Sequence, residues 1–382
     1  MISKADKILI GIVSVLIILI ILFLIIKNNS SPKQEEIVIG ISTILTGELA
    51  QGGDNMVKAA QLALEEVPYK NLNIKFAIED AGCGNGKGLT VATKLIDIDK
   101  VQAIIGGTCS DDTMAAAPYI NEKKIPYITP VTGGSNIDNA GEYVFRTGNA
   151  DIQAGIQPAE DLINIFNYKN AALLTEQREY TLDIRDNFKK RFQELGGNIL
   201  LDELFEPNEN DFRTLILKVQ EKKPDAILLS SQLGNTGAYF IKQAHELNLN
   251  IPIFTTFTTV VNENSYKIAG DAMNGIYFYD PDYDENNPEL KEFFKKYKEK
   301  YGKDPFIPFH AAATYDTTKM IVEAIKYVGN NGEKIHDWLL QNVKNWKGFM
   351  GTYSFDEKGN INIGFALKVV QNGKFIRYEG GK

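Results

Sequence analysis

Between Ile104 and Pro130 the sequence IIGGTCSDDTMAAAPYINEKKIPYITP passes from an apolar run, through two glycines, into an alanine-rich segment and then a second apolar run. That order reads as strand, tight turn, helix and strand, a unit that commits the chain to a parallel sheet with helical crossovers. Gly106 and Gly107 let the backbone turn closely. Ser110 stands at the expected helix N-cap, with Asp111 and Asp112 in the first turn. The unpaired amides and positive dipole end of such a helix start favour a small anion such as a carboxylate. An ordinary βα turn whose serine only caps is the other reading of the same residues.

The alternation extends in both directions. An apolar run at 37–43 ends in a loop holding Thr46, Gly47, Gly52 and Gly53, after which Val57, Ala60, Leu64 and Val67 recur at helical spacing. Residues 73–79 read as strand, 87–99 as helix and 101–105 as strand. The segment RTGNAD (146–151) interrupts the pattern and a second series begins. Its strands are expected at 171–175, 199–204, 225–230, 251–255 and 275–279, with helices at 180–195, 212–222 and up to about 247. Three helical segments run from 288 to about 340, ahead of a β-rich tail with Asn372 and Gly373 as a hairpin turn. The expected fold class is α/β, with two doubly wound parallel-sheet lobes, because so long a chain exceeds one ordinary core.

Ahead of these lobes, residues 8–26 are apolar apart from Gly11 and Ser14, long enough to span a bilayer as a helix. A cleavable secretory peptide would carry a shorter apolar core and a small-residue cleavage site, whereas Lys27, Asn28 and Asn29 follow here. The expectation is an uncleaved transmembrane anchor: residues 1–7 as a short cytoplasmic N-terminus, 8–26 as the membrane helix and 27–36 as a polar linker. Flanking charges do not orient it, since Lys4 and Lys7 face Lys27 and Lys33. Cys83 and Cys109, the chain's two cysteines, each follow an expected strand in consecutive βα units, and neighbouring parallel strands would bring them together. An even pair beside a membrane-targeting segment suggests a disulfide and an extracytoplasmic location; two buried free thiols are the alternative.

Several chemistries are excluded. A net charge of −8 without a basic block argues against nucleic acid as a partner. The cluster GCGNGKG (82–88) has Ala81 and Gly88 where a phosphate loop needs glycine and a hydroxyl residue, and it lacks the third glycine of a dinucleotide loop. His245, His310 and His336 lack metal-ligand spacing and read as surface or structural residues. Ser135 has no nucleophile-elbow context. No catalytic set, metal or cofactor is expected.

With these residues in view, the chain resembles the leucine/isoleucine/valine-binding proteins, substrate-binding subunits of ABC importers with the bilobed type I periplasmic fold. The resemblance runs from about 37 to 375. It rests on TGELAQGGDN (46–55), the Cys83 and Cys109 pair, CSDDTMAAAP (109–118), IPYITP (125–130), FRTGNAD (145–151) and SFDEKGN (354–360). It implies three lobe crossings, near Ala150, near Asp280 and after Asn360. Lobe 1 is then 37–150 plus 281–360 and lobe 2 is 151–280 plus 361–382, with a small ligand enclosed by hinge closure. It also places Ser110 where the family binds ligand carboxylate, Val131 and Gly133 as backbone contacts, and Tyr180 as an aromatic cover.

Departures from the family concern the ligand's other end. Phe257 occupies the position of the acidic residue that meets an amino group, Gln232 stands where an aromatic is common, and Gly52 replaces a bulky ring. Glu176, Glu179 and Asp183 are the candidate substitutes for the missing acid. The expected function is a non-enzymatic, single-pass, extracytoplasmic receptor that captures a small carboxylate-bearing solute and delivers it to ABC permease subunits. A ligand-sensing ectodomain with a separate signalling partner is the alternative, and an enzyme on this fold ranks third.

Overall fold

The computed structural model describes residues 36–380 except positions 48, 68–71, 85 and 362, together with positions 4, 11, 15 and 16. Apart from positions 11, 15 and 16, the apolar run 8–26 lies outside the described residues. So does the linker 27–36, Glu36 excepted. Among the described residues no helix is long and apolar enough to cross a membrane.

The first sheet contains β1 (Glu36–Thr43), β2 (Asn73–Asp80), β3 (Ile104–Gly106), β4 (Tyr127–Thr129) and β5 (Val144–Arg146), all parallel, in the order β2-β1-β3-β4-β5. Its helices are α1 (Ala50–Glu66), α2 (Gly88–Thr93) and α3 (Ser110–Lys123). The expected helix at 87–99 changes to π-helical pitch over Lys94–Ile98, and the strand expected from 101 begins only at Ile104. Lys100 takes a left-handed conformation (φ 57°) and the Val101 amide bonds back to Leu95, so these residues close the helix instead of extending the strand.

The strand order corrects one step of the cysteine reading. The strands before Cys83 and Cys109 are not neighbours, because β1 lies between them. All three end level, with Ser42 paired to Glu79 on one side and Gly106 on the other. The two loops therefore meet over the end of β1, and the disulfide Cys83–Cys109 forms with a Cα–Cα distance of 5.6 Å.

After β5, α4 (Asp151–Asn164) opens the second lobe. Its strands are β6 (Asn170–Glu176), β7 (Asn198–Phe205), β8 (Ala226–Ser230), β9 (Ile253–Thr256) and β10 (Tyr277–Pro281). Between them run α5 (Glu179–Glu194), α6 (Arg213–Lys222), α7 (Gly234–Glu246) and two short helices, α8 (Phe257–Val260) and α9 (Glu263–Ala269). Further along the chain come α10 (Pro288–Tyr301), α11 (Pro308–Val328), α12 (Gly332–Asn342) and a small hairpin, β11 (Trp346–Gly348) and β12 (Gly351–Tyr353). The tail strands β13 (Phe365–Gln371) and β14 (Lys374–Arg377) return to the second sheet, antiparallel at its edge, in the order β14-β13-β10-β9-β8-β6-β7. Asn372 and Gly373 (φ 51° and 70°) make the turn between them, both in the left-handed region that a two-residue hairpin favours.

Hydrogen bonds seat the late helices on the first lobe. Asn55 of α1 donates to the Ile307 carbonyl (3.0 Å) and accepts from the Tyr297 hydroxyl (3.2 Å), while Glu66 accepts from Lys296 (2.8 Å) and Tyr315 (2.5 Å). Three crossing segments lie side by side between the lobes. Arg146 exchanges backbone bonds with Gly359 and Ile361, Asn149 Nδ2 donates to the Ile363 (2.9 Å) and Gly364 (3.0 Å) carbonyls, and the Asp282 amide bonds to Gly364. These bonds join the three crossing segments to one another between the lobes.

Candidate ligand-binding cleft

The parallel strands of both lobes end at one cleft, the place where α/β sheets hold ligands because helix starts and loops converge there. From the first lobe come Leu49 and Gly52 after β1, Thr108 to Ser110 after β3, and Val131 to Gly133 after β4. From the second come Tyr180 after β6, Gln232 after β8, and Phe257 and Thr258 after β9. The start of α11 adds Phe306, Ile307, Phe309 and His310, and the hinge adds Asn149, Pro281 and Phe365. The space is about 820 Å³, part of it open to solvent. All six residues singled out in the sequence, Ser110, Val131, Gly133, Tyr180, Gln232 and Phe257, line it.

The structure corrects the capping role given to Ser110. Cys109 occupies the N-cap, extended at φ −127° and ψ 144°, and Ser110 is the first helical residue. Its side chain makes no cap; the Gly134 amide donates to Ser110 Oγ (3.2 Å). Gly134 is required for that approach, since a Cβ there would lie 2.7 Å from Ser110 Oγ. A hydroxyl that accepts from an amide still has its own proton to donate, and a carboxylate accepts it. The neighbouring loop is held by Thr129, whose Oγ1 accepts from the Thr132 amide (2.8 Å) and donates to the Gly107 carbonyl (3.3 Å). Gly107 itself sits at φ 78°, with Thr113 Oγ1 only 2.0 Å from where a Cβ would stand. These constraints fix backbone amides and one hydroxyl at the start of α3, the arrangement that binds small anions.

Asp80, at the end of β2, accepts from the Leu45 amide (2.9 Å), the Thr46 hydroxyl (2.6 Å) and the Gly82 amide (3.1 Å). Those bonds, led by the one from Leu45, hold its carboxyl below the usual range and tie the loop before α1 to the disulfide loop. On the second lobe, buried Glu176 does comparable work. Its Oε2 accepts from Ser231 Oγ (2.8 Å) and the amides of Gln232 (2.9 Å) and Leu233 (3.1 Å), and its Oε1 pairs with Arg178 (2.8 Å).

Glu176 is therefore committed to its own loop and does not line the cleft. Asp183 is committed as well, accepting from the Ser135 amide (3.0 Å) and hydroxyl (2.6 Å), two bonds that join the lobes across the mouth. Glu179 takes a bond from Asn136, also between lobes, and lines an adjoining recess with Asp111. No Asp, Glu, Lys or Arg side chain lines the main cleft among the described residues.

The aromatic side contains a residue that sequence reasoning had set aside. His310 lies in the cleft wall, its ring 4.2 Å from Phe309 and 5.9 Å from Phe257, both edge to face. Burial drives its pKa down to about 3, so the imidazole is neutral. The segment FHAAATYD carries no polar-apolar alternation around it, and only the packing of α11 on α1 reveals which face the histidine takes.

A family model for periplasmic binding proteins matches residues 36–374. The chain belongs to the periplasmic binding protein family. Among curated relatives of this periplasmic binding protein, the leucine-, isoleucine-, valine-, threonine- and alanine-binding protein of Pseudomonas aeruginosa is 26% identical over 340 residues, covering 87% of this chain and 89% of the relative. A crystal structure of the leucine-binding protein LivK of Thermotoga maritima superposes with a TM-score of 0.80 at 26% identity, covering 90% of this chain and 97% of the other. The branched-chain amino acid transporter substrate-binding protein LivJ of Streptococcus pneumoniae, solved with isoleucine, gives 0.79 at 26% identity, covering 89% and 98%. Members of the family are non-enzymatic, extracytoplasmic solute-binding partners of ABC transporters, and the disulfide suits that oxidising location.

Proposed function

We propose that this periplasmic binding protein captures a small carboxylate-bearing solute, an amino acid or a close analogue, and presents it to ABC permease subunits while tethered to the membrane by residues 8–26. The carboxylate sits on the Ser110 hydroxyl and the backbone of Val131 to Gly133. Tyr180, Gln232 and Phe257 pack on the solute's body from the second lobe as the hinge closes. The observation that carries this reading is the Ser110 hydroxyl, held by the Gly134 amide at a helix start and lining the same cleft as Tyr180, Gln232 and Phe257 of the second lobe. Tethering is supported by the length of the apolar run. A tether keeps the receptor at high local concentration near its permease.

Isothermal titration of the full chain in detergent against amino acids and their carboxylate analogues tests the site, with Ser110→Ala as control. A hydrogen bond to a charged group contributes about 1.5–3 kcal/mol, so the variant is expected to lose roughly tenfold to a hundredfold in affinity. Unchanged affinity would remove the anion site from Ser110.

A further inference from the structure

Beside the cleft lies a second space of about 710 Å³, part of it open to solvent, that shares Leu49, Gln232, Thr258, Phe306 and Ile307 with the cleft wall. It is separate from the acidic recess beside Glu179, with which it has only Gln232 in common. Five carboxamides line it: Gln51 from the first lobe, and Gln232, Asn235, Asn262 and Asn264 from the second. Gln51 and Asn264 are exposed and the other three are half-buried, so each shows surface that a solute can reach.

Two of these side chains are already bonded at one end. Asn262 caps α9, its Oδ1 accepting from the Asn264 amide (2.9 Å), and Asn264 Oδ1 accepts from Lys267 (3.2 Å), so both keep their amide nitrogens to donate. Gly234 makes room for Asn262, because a Cβ there would lie 2.8 Å from Asn262 Nδ2. Among the described residues no Asp, Glu, Lys or Arg lines the space, while Leu49, Val261 and Phe306 give it an apolar wall. A charged group entering it would lose water without gaining an opposite charge. A polyol would press hydroxyls against the apolar wall. A planar amide suits both surfaces: it donates through N–H, accepts at its carbonyl, and carries carbon on either side.

We propose that this recess receives a second, uncharged amide unit of the solute, so that the protein takes N-acylated dipeptides and similar amide-extended carboxylates. The proposal rests on the carboxylate reading above and extends the solute's other end beyond a single amino acid. The added amide touches both lobes, since Gln51 stands on α1 and Asn262 at the start of α9.

The test is calorimetric titration of the full chain in detergent with leucine, alanyl-leucine, N-acetyl-alanyl-leucine, N-pentanoyl-leucine and gluconate. N-pentanoyl-leucine matches the acetylated dipeptide in length but lacks its second amide, and alanyl-leucine ends in an ammonium. N-acetyl-alanyl-leucine is expected to bind at least ten times more tightly than each of the others. Gln51→Met and Asn262→Ser, the second of which keeps an oxygen for the helix cap, should each weaken it at least threefold and change N-pentanoyl-leucine less than twofold. Equal affinities for the two acylated acids, or leucine binding as tightly as either, would overturn the proposal. Variants that leave N-acetyl-alanyl-leucine unchanged, or weaken both acylated acids alike, would remove the amide from this recess. Tightest binding of gluconate would assign the recess to hydroxyls instead. Each of these results leaves the carboxylate reading intact provided Ser110→Ala still weakens the tightest-binding acid. Failure of all five compounds to bind would also overturn the amide-extended class, and native mass spectrometry of a co-purified solute would then decide the carboxylate reading separately.

Discussion

The two sides of the cleft are built from different materials. On the first lobe the surface is backbone and small hydroxyls: Ser110 at a helix start, the loop from Val131 to Gly133, and Thr129 and Gly134 holding them in place. The second lobe faces it with Tyr180 and Phe257, and the aromatic side is completed by Phe306, Phe309 and His310 at the start of α11, which is seated on the first lobe, and by Phe365 of the hinge. The first surface is polar yet largely bonded to itself, so it offers a few oriented donors at low reorganisation. The second is apolar, and the orphaned His310 nitrogen lies within it. The proposed solute, with one anionic end and a compact apolar body, matches both.

If the second lobe's surface depends on a scaffold as the first does, removing that scaffold should have the largest effect. Glu176→Ala leaves Ser231, two loop amides and Arg178 without their acceptor in a buried setting. A loss of about 3–5 kcal/mol in unfolding free energy is expected from urea titration. A loss under about 1 kcal/mol would show that the Gln232 loop holds its own shape.

Asp183→Ala asks whether the two surfaces must be latched together. It removes both bonds from Ser135, which lie between lobes, and so should destabilise the closed arrangement by about 1–2 kcal/mol. Affinity should fall about tenfold, mainly through faster release in stopped-flow traces, with the unfolding transition nearly unchanged. Equal release rates would mean that closure does not depend on this contact.

Of the three effects, the smallest is set by pH. Because His310 is held near pKa 3 in the native protein and near 6.5 when unfolded, the unfolded chain takes up a proton between those values that the native state refuses. Its contribution to stability is complete above pH 6.5 and is lost as pH falls toward 3, amounting to about 1 kcal/mol by pH 5.5. Asp316 has the opposite sign. Burial raises its pKa to about 7, so its contribution is complete below the unfolded value of 3.8 and declines as pH rises through 7. As pH falls from 7.5 to 5.5 the melting temperature of wild type should drop relative to that of His310→Leu; a constant difference would show that the native histidine takes the proton.

Much of this was legible in the sequence because periodicity and turn chemistry are local. The βα alternation, the Asn372–Gly373 turn and the six cleft residues could all be read along the chain or from the resemblance. What escaped depends on three-dimensional neighbours. The position of β1 between the cysteine-bearing loops is a matter of strand order. Ser110 gave up the cap because Gly134, 24 residues away in sequence, supplies an amide to its hydroxyl. His310 was passed over because an alanine-rich helix turns nearly any face inward, and its inward face follows from the packing of α11 on α1, where Asn55 holds the Ile307 carbonyl. The short strand Val144–Arg146 and the helices at 257–269 were too brief to leave a periodic signal.

The central claim is that a solute's carboxylate is gripped at the start of α3. A crystal structure of the protein loaded with its tightest-binding acid tests it most directly. The expected result is a carboxylate oxygen about 2.7 Å from Ser110 Oγ, with its partner oxygen on an amide of the 131–133 loop. A carboxylate turned toward the aromatic side, or a solute held wholly in the recess beside Glu179, would contradict it.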